Sequence, residues 1–258
     1  MSKLYTLNNT SDKISAVIIC RDEEDNIADC LNSVKWVDSI IVVDSGSKDN
    51  TVELARAFTE RVYFNQWQGF AKQRTFALGL VETEWVLVLD ADERCSKELT
   101  LEIQNAVKSS KPCDGYKIPR KSFFLNKWIK HSGWYPNYQL RFFRKNSAFV
   151  NNRLVHEGYV VNGNTGFFTS DILHYTVQSL SDFSDKINNY STLEAIEKYG
   201  RKKVGAIDIL LRPPLGFLKE YIIKLGFRDG IYGIMVAYFD AITKALTYMK
   251  IKELQDKQ

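Results

Sequence analysis

The stretch Glu84-Trp85-Val86-Leu87-Val88-Leu89-Asp90-Ala91-Asp92-Glu93 holds an apolar run that ends abruptly in acids. Such a run, without alternation, is typical of a strand buried on both faces of a mainly parallel sheet. Asp90 and Asp92 are two residues apart, so in extended chain they project to one side. Ligands of open α/β sheets bind just beyond the carboxyl ends of strands, where carboxylates can hold a divalent cation and, through it, a diphosphate. Acids that cap the following helix (96–107) would explain the same pattern.

Composition indicates a globular α/β protein. The chain has 258 residues, 45% of them hydrophobic, and a formal net charge of +4. This length suits one large domain with an appendage, and the charge is too small to imply nucleic-acid binding. The four cysteines form no CxxC pair and no zinc spacing, which predicts free thiols in a reducing, cytosolic compartment. Residues 1–13 are polar, so we expect no signal peptide. Since no apolar run is long enough to cross a bilayer, we expect no spanning helix.

Strand and helix patterns alternate as far as residue 107. Strands are predicted at 14–20, 39–43, 62–64 and 85–89, and helices at 27–34, 50–58, 69–80 and 96–107. This alternation predicts a Rossmann-like, doubly wound, mainly parallel sheet flanked by helices. Later strands are predicted at 116–119 and 139–143, and later helices at 181–199, 215–225 and 231–254, with Pro213-Pro214 as a chain break.

Three of the predicted strands end in polar groups: Arg21 and Glu23, then Asp44, then Asp90 and Asp92. A parallel sheet sets those ends side by side, so together they predict a pocket. Known phosphate and metal motifs are absent: there is no GxxxxGK[ST] loop, no GxGxxG after the first strand and no HExxH. Acids that hold a metal, beside Lys72 and Arg74 facing phosphates, suit a nucleotide diphosphate.

Four segments, Cys20–Glu24, Val42–Thr51, Gly69–Arg74 and Leu89–Glu93, resemble in order and spacing the family 2 glycosyltransferases with the GT-A fold. The resemblance covers roughly residues 14 to 175. His156-Glu157 and Arg228-Asp229-Gly230 are similar to the lipopolysaccharide core glucosyltransferases.

The resemblance implies roles for particular residues. Nucleotide-sugar binding falls to Arg21, Glu23, Asp44 (near the uracil), Lys72, Arg74 and Asp90 (near the ribose or the metal). Asp92, with Asp90, would bind Mg²⁺ or Mn²⁺. His174 is either a third metal ligand or a core histidine. Glu157 is the expected catalytic base, and the alternative is a structural Glu157 paired with Arg141 or Arg153.

The segment 128–144 is rich in aromatic and basic residues. Trp134, Tyr138 and Arg141 are the candidates for contact with an acceptor sugar. Aromatic rings between bases can also stack on nucleic-acid bases, but the predicted acidic site would repel a phosphate backbone, so no nucleic-acid partner is expected. Core packing is the further alternative for these rings.

The C-terminal segment carries excess positive charge. Residues 201–258 contain eleven Lys or Arg and six Asp or Glu. We therefore expect a catalytic domain at 1–200 and, at 201–258, a basic amphipathic helical segment that associates with a membrane surface. A helical cap on the sheet, or a homodimer contact, would explain the same sequence.

The resemblance implies an inverting, metal-dependent glycosyltransferase of cell-envelope biosynthesis, and the basic C-terminal segment predicts that it is cytoplasmic and peripheral on the inner face of the cell membrane. It would move a hexose, with glucose expected, from a UDP-sugar donor to a lipid-linked glycan acceptor such as the lipopolysaccharide core. A sugar-nucleotide nucleotidyltransferase and a non-catalytic membrane adaptor with the same fold are the alternatives.

Overall fold

A computed structural model describes residues 12–151, 158–201 and 203–257, except the side chain of Asp182. These residues form two compact units. The first unit comprises 12–119, 138–151 and 158–172, and the second comprises 120–137 and the described residues from 173 onward. The functional boundary expected at residue 200 stays a prediction.

Every strand and helix that the sequence predicts before residue 107 is present in the structure. In chain order the elements are β1 (Ile14–Cys20), α1 (Ile27–Ser33), β2 (Ser39–Asp44), α2 (Thr51–Arg56), β3 (Val62–Phe64), α3 (Phe70–Gly79), β4 (Trp85–Asp90), β5 (Glu93–Cys95) and α4 (Lys97–Val107). Within this range only β5 lacks a predicted counterpart, because its charged residues Glu93 and Arg94 do not form an apolar run. Ser96 caps α4, and its side chain accepts a hydrogen bond from Leu99 N at 3.2 Å.

The sheet of the first unit is mainly parallel. Its order begins β3-β2-β1-β4, and these four strands are parallel neighbours. Further along the chain come β6 (Gly115–Phe124), β7 (Lys127–Trp128), β8 (Asn137–Arg144), β9 (Ala148–Val150), β10 (Tyr159–Val161), β11 (Thr165–Phe167) and β12 (Ile172–Val177). The strand β8 lies antiparallel to β4, and β11 pairs with β6 in parallel. The predicted fold class, an α/β fold with a mainly parallel sheet flanked by helices, is confirmed.

Both faces of the central strands are buried, as the apolar run predicts. Ala16 and Ile18 of β1 belong to one hydrophobic cluster, and Val17 between them belongs to another on the opposite face. In the first cluster, the rings of Trp85 and Phe142 stack with centroids 4.9 Å apart. This stack joins the parallel strand β4 to its antiparallel neighbour β8.

The second unit is helical after β12, with α5 (Leu180–Lys198), α6 (Ala206–Leu218) and α7 (Ile231–Asp256). The predicted break at Pro213-Pro214 is wrong, because α6 runs through both prolines. Each proline removes a helical hydrogen bond and disfavours the helix by about 3 kcal/mol. Packing of α6 along α7, where Gly216 is buried against Lys244, offsets that loss. None of the helices in the described ranges has the length and apolar content needed to cross a bilayer.

One close backbone contact shapes the turn between α6 and α7. Gly233, on the first turn of α7, lies against Gly226, and a Cβ on Gly233 would be 1.8 Å from the Gly226 carbonyl oxygen. Only glycine allows this approach. The turn that it holds, Gly226–Asp229, includes the Arg228-Asp229-Gly230 segment singled out in the sequence.

We expect Phe142→Ala to lower the free energy of unfolding by about 3–5 kcal/mol, because it removes a fully buried ring and leaves a cavity beside Trp85. Phe167→Ala is the matched control, since Phe167 is 60% exposed, and it should cost about 1 kcal/mol or less. Equilibrium denaturation in urea measures both. Equal losses for the two variants would contradict the assigned core.

Candidate active site

The carboxyl ends of three parallel strands meet at one edge of the first unit. In the sheet register Asp44 of β2 is the partner of Cys20, and Asp90 of β4 is the partner of Ile19. Neighbouring strands lie about 4.8 Å apart, so the backbones of Asp44 and Asp90 are separated by about 10 Å across β1. The structure therefore brings these two predicted site residues to a common edge.

The loops that follow β1 and β2 are bound to each other by hydrogen bonds from backbone to side chain. Asp22 N donates to Ser47 Oγ at 2.9 Å, and Lys48 N donates back to Asp22 Oδ1 at 2.7 Å. One residue further on, Glu23 N donates to Thr51 Oγ1 at 2.7 Å. The backbone of each loop is thus held by side chains of the other, which fixes Arg21 and Glu23 beside Asp44.

Asp44 organises its own loop. It is 4% exposed, and its carboxylate accepts hydrogen bonds from Gly46 N at 2.8 Å and from both the backbone and the hydroxyl of Ser47. Gly46 has a φ of +97°, which favours glycine. These hydrogen bonds fix the conformation of the loop at the strand edge. Contact between Asp44 and a uracil stays a prediction.

A buried ion cluster closes the end of β4. Arg141 of β8 is 6% exposed and Glu93 is fully buried. The Arg141 guanidinium donates to Asp90 Oδ2 at 2.5 Å and to Glu93 Oε1 at 2.9 Å. Burial alone lowers the pKa of Arg141, but the charges of Asp90 and Glu93 outweigh it and hold that pKa above its ordinary value. Arg141 is therefore a counter-ion of the acidic turn, a placement that gives no support to its predicted contact with an acceptor.

Arg74 approaches the same aspartate from α3. Its guanidinium lies 3.8 Å from Asp90 Oδ1, and its side chain is 12% exposed. Tyr159 of β10 lies near Arg74, 5.9 Å from the guanidinium to the ring centroid, and burial raises the pKa of Tyr159 to about 12. The structure thus brings Arg74 together with Asp90, while Lys72 points outward, exposed and bonded to Gln68.

Two residues of this edge were missed by sequence reasoning. Gln73 is fully buried, donates to Ser45 Oγ at 3.0 Å and accepts from Asn65 Nδ2 at 2.8 Å, so it ties α3 to the loop after β2. The sequence signal for this role was the position of Gln73, a polar residue one helical turn before Ala77 and on the same buried face of α3. The other is Glu93, which accepts a hydrogen bond from Asp90 N at 3.0 Å. Its sequence signal was its place as the last acid of the quoted stretch, directly after Asp92.

The expectation that Asp90 and Asp92 project together from extended chain is wrong, because β4 ends at Asp90 and residues 91 and 92 form a turn. Asp92 is partly exposed on that turn. Across the described ranges, no group of three or more His, Cys, Asp or Glu side chains is placed to hold a metal ion. Mg²⁺ is often bound by only one or two carboxylates together with substrate phosphates, so the carboxylates of this turn fit a cation that binds with a diphosphate.

The remaining candidates are spread over the molecule. Tyr138 is 41% exposed on the first unit, with its ring edge-on to Phe167 at 5.2 Å. In the second unit, Trp134 packs against Phe124 in a hydrophobic cluster, and His174 Nδ1 lies 3.1 Å from Ser122 Oγ. Glu157, the expected base, lies outside the described residues, as does its neighbour His156.

Comparison with known proteins identifies the family. The family model described as glycosyl transferase family 2 matches residues 15–172, within the range in which the sequence resembles that family. The lipopolysaccharide core biosynthesis glycosyltransferase LpsC of Rhizobium meliloti (strain 1021) is 30% identical over 92% of this chain and 91% of its own length. An uncharacterized glycosyltransferase of Rickettsia bellii (strain RML369-C) is 31% identical over 98% of this chain and 89% of its own.

Among solved structures, S. aureus TarS 1–349 in complex with UDP-GlcNAc is similar, with a TM-score of 0.47 and 14% identity over 95% of this chain and 92% of that one.

We expect Arg141→Gln to lower the free energy of unfolding by about 3–5 kcal/mol, because it removes the guanidinium that pairs with the fully buried carboxylate of Glu93. The double variant Arg141→Gln with Glu93→Gln should lose less than the sum of its single changes, since the unpaired buried charge is gone. Arg56→Gln, at an exposed arginine, is the control and should be nearly neutral. Additive losses in urea denaturation would refute the coupling.

Proposed function

This chain belongs to glycosyl transferase family 2, and from that premise we propose that it is an inverting, metal-dependent hexosyltransferase. The donor is a UDP-sugar, with glucose as the expected hexose, and the acceptor is a sugar hydroxyl of a lipid-linked glycan such as the lipopolysaccharide core. One observation carries the proposal: within a family 2 chain, the acids of β2 and β4 flank the end of β1 at one sheet edge.

The distribution of charge at this edge supports a nucleotide diphosphate as ligand. Asp90 is already compensated by Arg141 and Arg74, so the turn after β4 is not a simple excess of negative charge. Asp44 and the interlaced loops beside it would receive the nucleoside, with Arg21 and Glu23 at the same rim. An open depression nearby, lined by Glu24, Asp25 and Glu53, has about 460 Å³, and its acids would repel phosphates, so we place the donor elsewhere.

The metal would be held by Asp92, with Asp90 as its neighbour on the same turn. When bound, Mg²⁺ or Mn²⁺ supplies positive charge that stabilises the departing diphosphate. His174 belongs to the second unit and bonds to Ser122, which supports the alternative of a structural histidine.

The reaction would be a single displacement at the anomeric carbon. The acceptor oxygen forms a bond to that carbon while the bond from carbon to the UDP oxygen breaks, so the electron pair leaves with UDP and the configuration inverts. The proton of the acceptor hydroxyl passes to a base, for which Glu157 is our candidate. Tyr138 and Trp134 are proposed to contact the acceptor.

The acceptor class and the location come from two sources. A relative that matches nearly the whole chain bears the name of a lipopolysaccharide core biosynthesis glycosyltransferase, and residues 201–258 carry five more basic than acidic side chains. We therefore propose catalysis in residues 1–200 and attachment to the inner face of the cell membrane through 201–258. Membership of the family removes the nucleotidyltransferase and the non-catalytic adaptor from consideration.

Asp92→Asn should reduce metal-dependent turnover by roughly a hundredfold or more, because it weakens the site that balances the charge of the leaving group. The assay measures release of the nucleoside diphosphate from UDP-, GDP- and dTDP-sugars with Mn²⁺, and only UDP-sugars should react. Glu98→Gln, at an exposed acid of α4, is the control. Wild-type turnover in Asp92→Asn would show that the metal site is misplaced.

Glu157→Gln should lower turnover by about 10²–10⁴-fold and leave UDP affinity, measured by calorimetry, close to that of the wild type. Thermal denaturation of the same variant distinguishes a catalytic base from a structural role for Glu157. A large fall in Tm together with weaker UDP binding would support the structural role instead of the base.

A further inference from the structure

The second unit contains a charged pocket between α5, α6 and α7. Its volume is about 300 Å³, and its ionisable lining comprises the bases Lys198, Arg212, Lys219 and Lys244 and the acids Glu194 and Asp240. The bases exceed the acids by two. No residue of the proposed transfer reaction lies in it, so its charge calls for another explanation.

Three of the four bases, Lys198, Arg212 and Lys244, are held around the opening by ion pairs with acids. Arg212 is bonded to Asp208 at 2.9 Å, and its guanidinium lies 4.7 Å from the centre of the Tyr248 ring. Lys244 pairs with Asp240. Gly216 makes room for Lys244, because a Cβ there would lie 2.6 Å from Lys244 Cδ. Among the described residues, Lys219 forms no ion pair and is exposed at the pocket, so it adds uncompensated positive charge.

Beside the pocket, α6 exposes a continuous apolar face. Its members recur every three or four residues and are 48–74% exposed: Ile207, Leu210, Leu211, Leu215 and Leu218. Leu215 belongs both to this face and to the pocket lining. Lys219 follows Leu215 by one helical turn. An exposed apolar face that adjoins a cationic pocket matches a molecule with an apolar tail and an anionic head.

We propose that the apolar face of α6 rests on an anionic phospholipid surface and that the pocket receives the phosphate headgroup of one lipid. This rests on the proposed lipid-linked acceptor, and it identifies α6, and not the longer α7, as the element that meets the membrane. Burial of the leucines supplies the apolar contribution, and the bases select anionic lipid. The alternative occupant of the face is a second copy of the chain.

The test is flotation of the full-length protein on phosphatidylcholine vesicles with and without phosphatidylglycerol. The wild type should float only with phosphatidylglycerol, and less at high salt. Arg212→Gln with Lys219→Gln should weaken partitioning about thirtyfold, since each base near an anionic surface contributes about fivefold. Lys97→Gln with Lys108→Gln removes the same charge from exposed positions on and just after α4 and should have little effect.

A second pair of variants tests the apolar face. Leu210→Glu should abolish flotation, whereas Leu101→Glu, at a leucine of α4 with 62% exposure against 72% for Leu210, should not. Equal losses within either pair would overturn the proposal. The proposal would also be overturned if light scattering showed a wild-type dimer that Leu210→Glu converts to a monomer while flotation stays unchanged. Glycerophosphate, as a soluble headgroup, should compete with vesicles for the wild type. Failure to compete would refute binding of a headgroup in the pocket.

Release of UDP without vesicles is measured on the same variants. The pocket and face variants should keep the wild-type rate, because none of these residues has a part in the transfer. A wild type that floats but releases no UDP would refute the proposed function and leave this inference standing. A wild type that releases UDP but does not float on anionic vesicles would refute this inference and the proposed membrane attachment, and would leave the proposed transfer reaction standing.

Discussion

The ion cluster of Asp90, Arg141 and Glu93 is the constraint on which the rest of the catalytic edge depends. A buried guanidinium with two carboxylates is stable only when all three stay together. That requirement holds the antiparallel strand β8 against β4 at its acidic end, opposite the stacked Trp85 and Phe142 at the other end. It also fixes the turn on which Asp92 stands, because Glu93 both pairs with Arg141 and accepts from Asp90 N.

Most of the acids at this edge have a structural role. Asp22, Asp44 and Glu93 accept hydrogen bonds that shape the loops and the turn. Each of these bonds joins segments that come together only in the folded sheet or within one tight turn, so the site is preorganised before a ligand arrives. Asp92 lies between Asp90 and Glu93 in the chain and is partly exposed on the turn that the ion cluster holds. Preorganisation of this kind lowers the cost of aligning a charged donor.

The second unit is stabilised by a different kind of contact. Its core is built from aromatic contacts such as Phe124 with Phe183 and Phe239, and its helices leave leucines exposed on α6. Prolines within α6 weaken its hydrogen bonding, and packing on α7 keeps it helical. Family membership accounts for glycosyl transfer by residues 15–172, while the helices after them carry an excess of positive charge and an exposed apolar surface.

By itself the sequence determined the family and, with the exception of β5, the strands and helices as far as residue 107. Apolar runs, helix caps and loop motifs are local signals, so they can be recognised without knowledge of the fold. It did not determine that Arg141 serves as a counter-ion, that Gln73 ties α3 to a loop, or that α6 continues through two prolines. Tertiary structure decided these, because each depends on what packs against the residue. Arg141 meets an acid 51 positions away in the chain, a contact for which periodicity and propensity carry no signal.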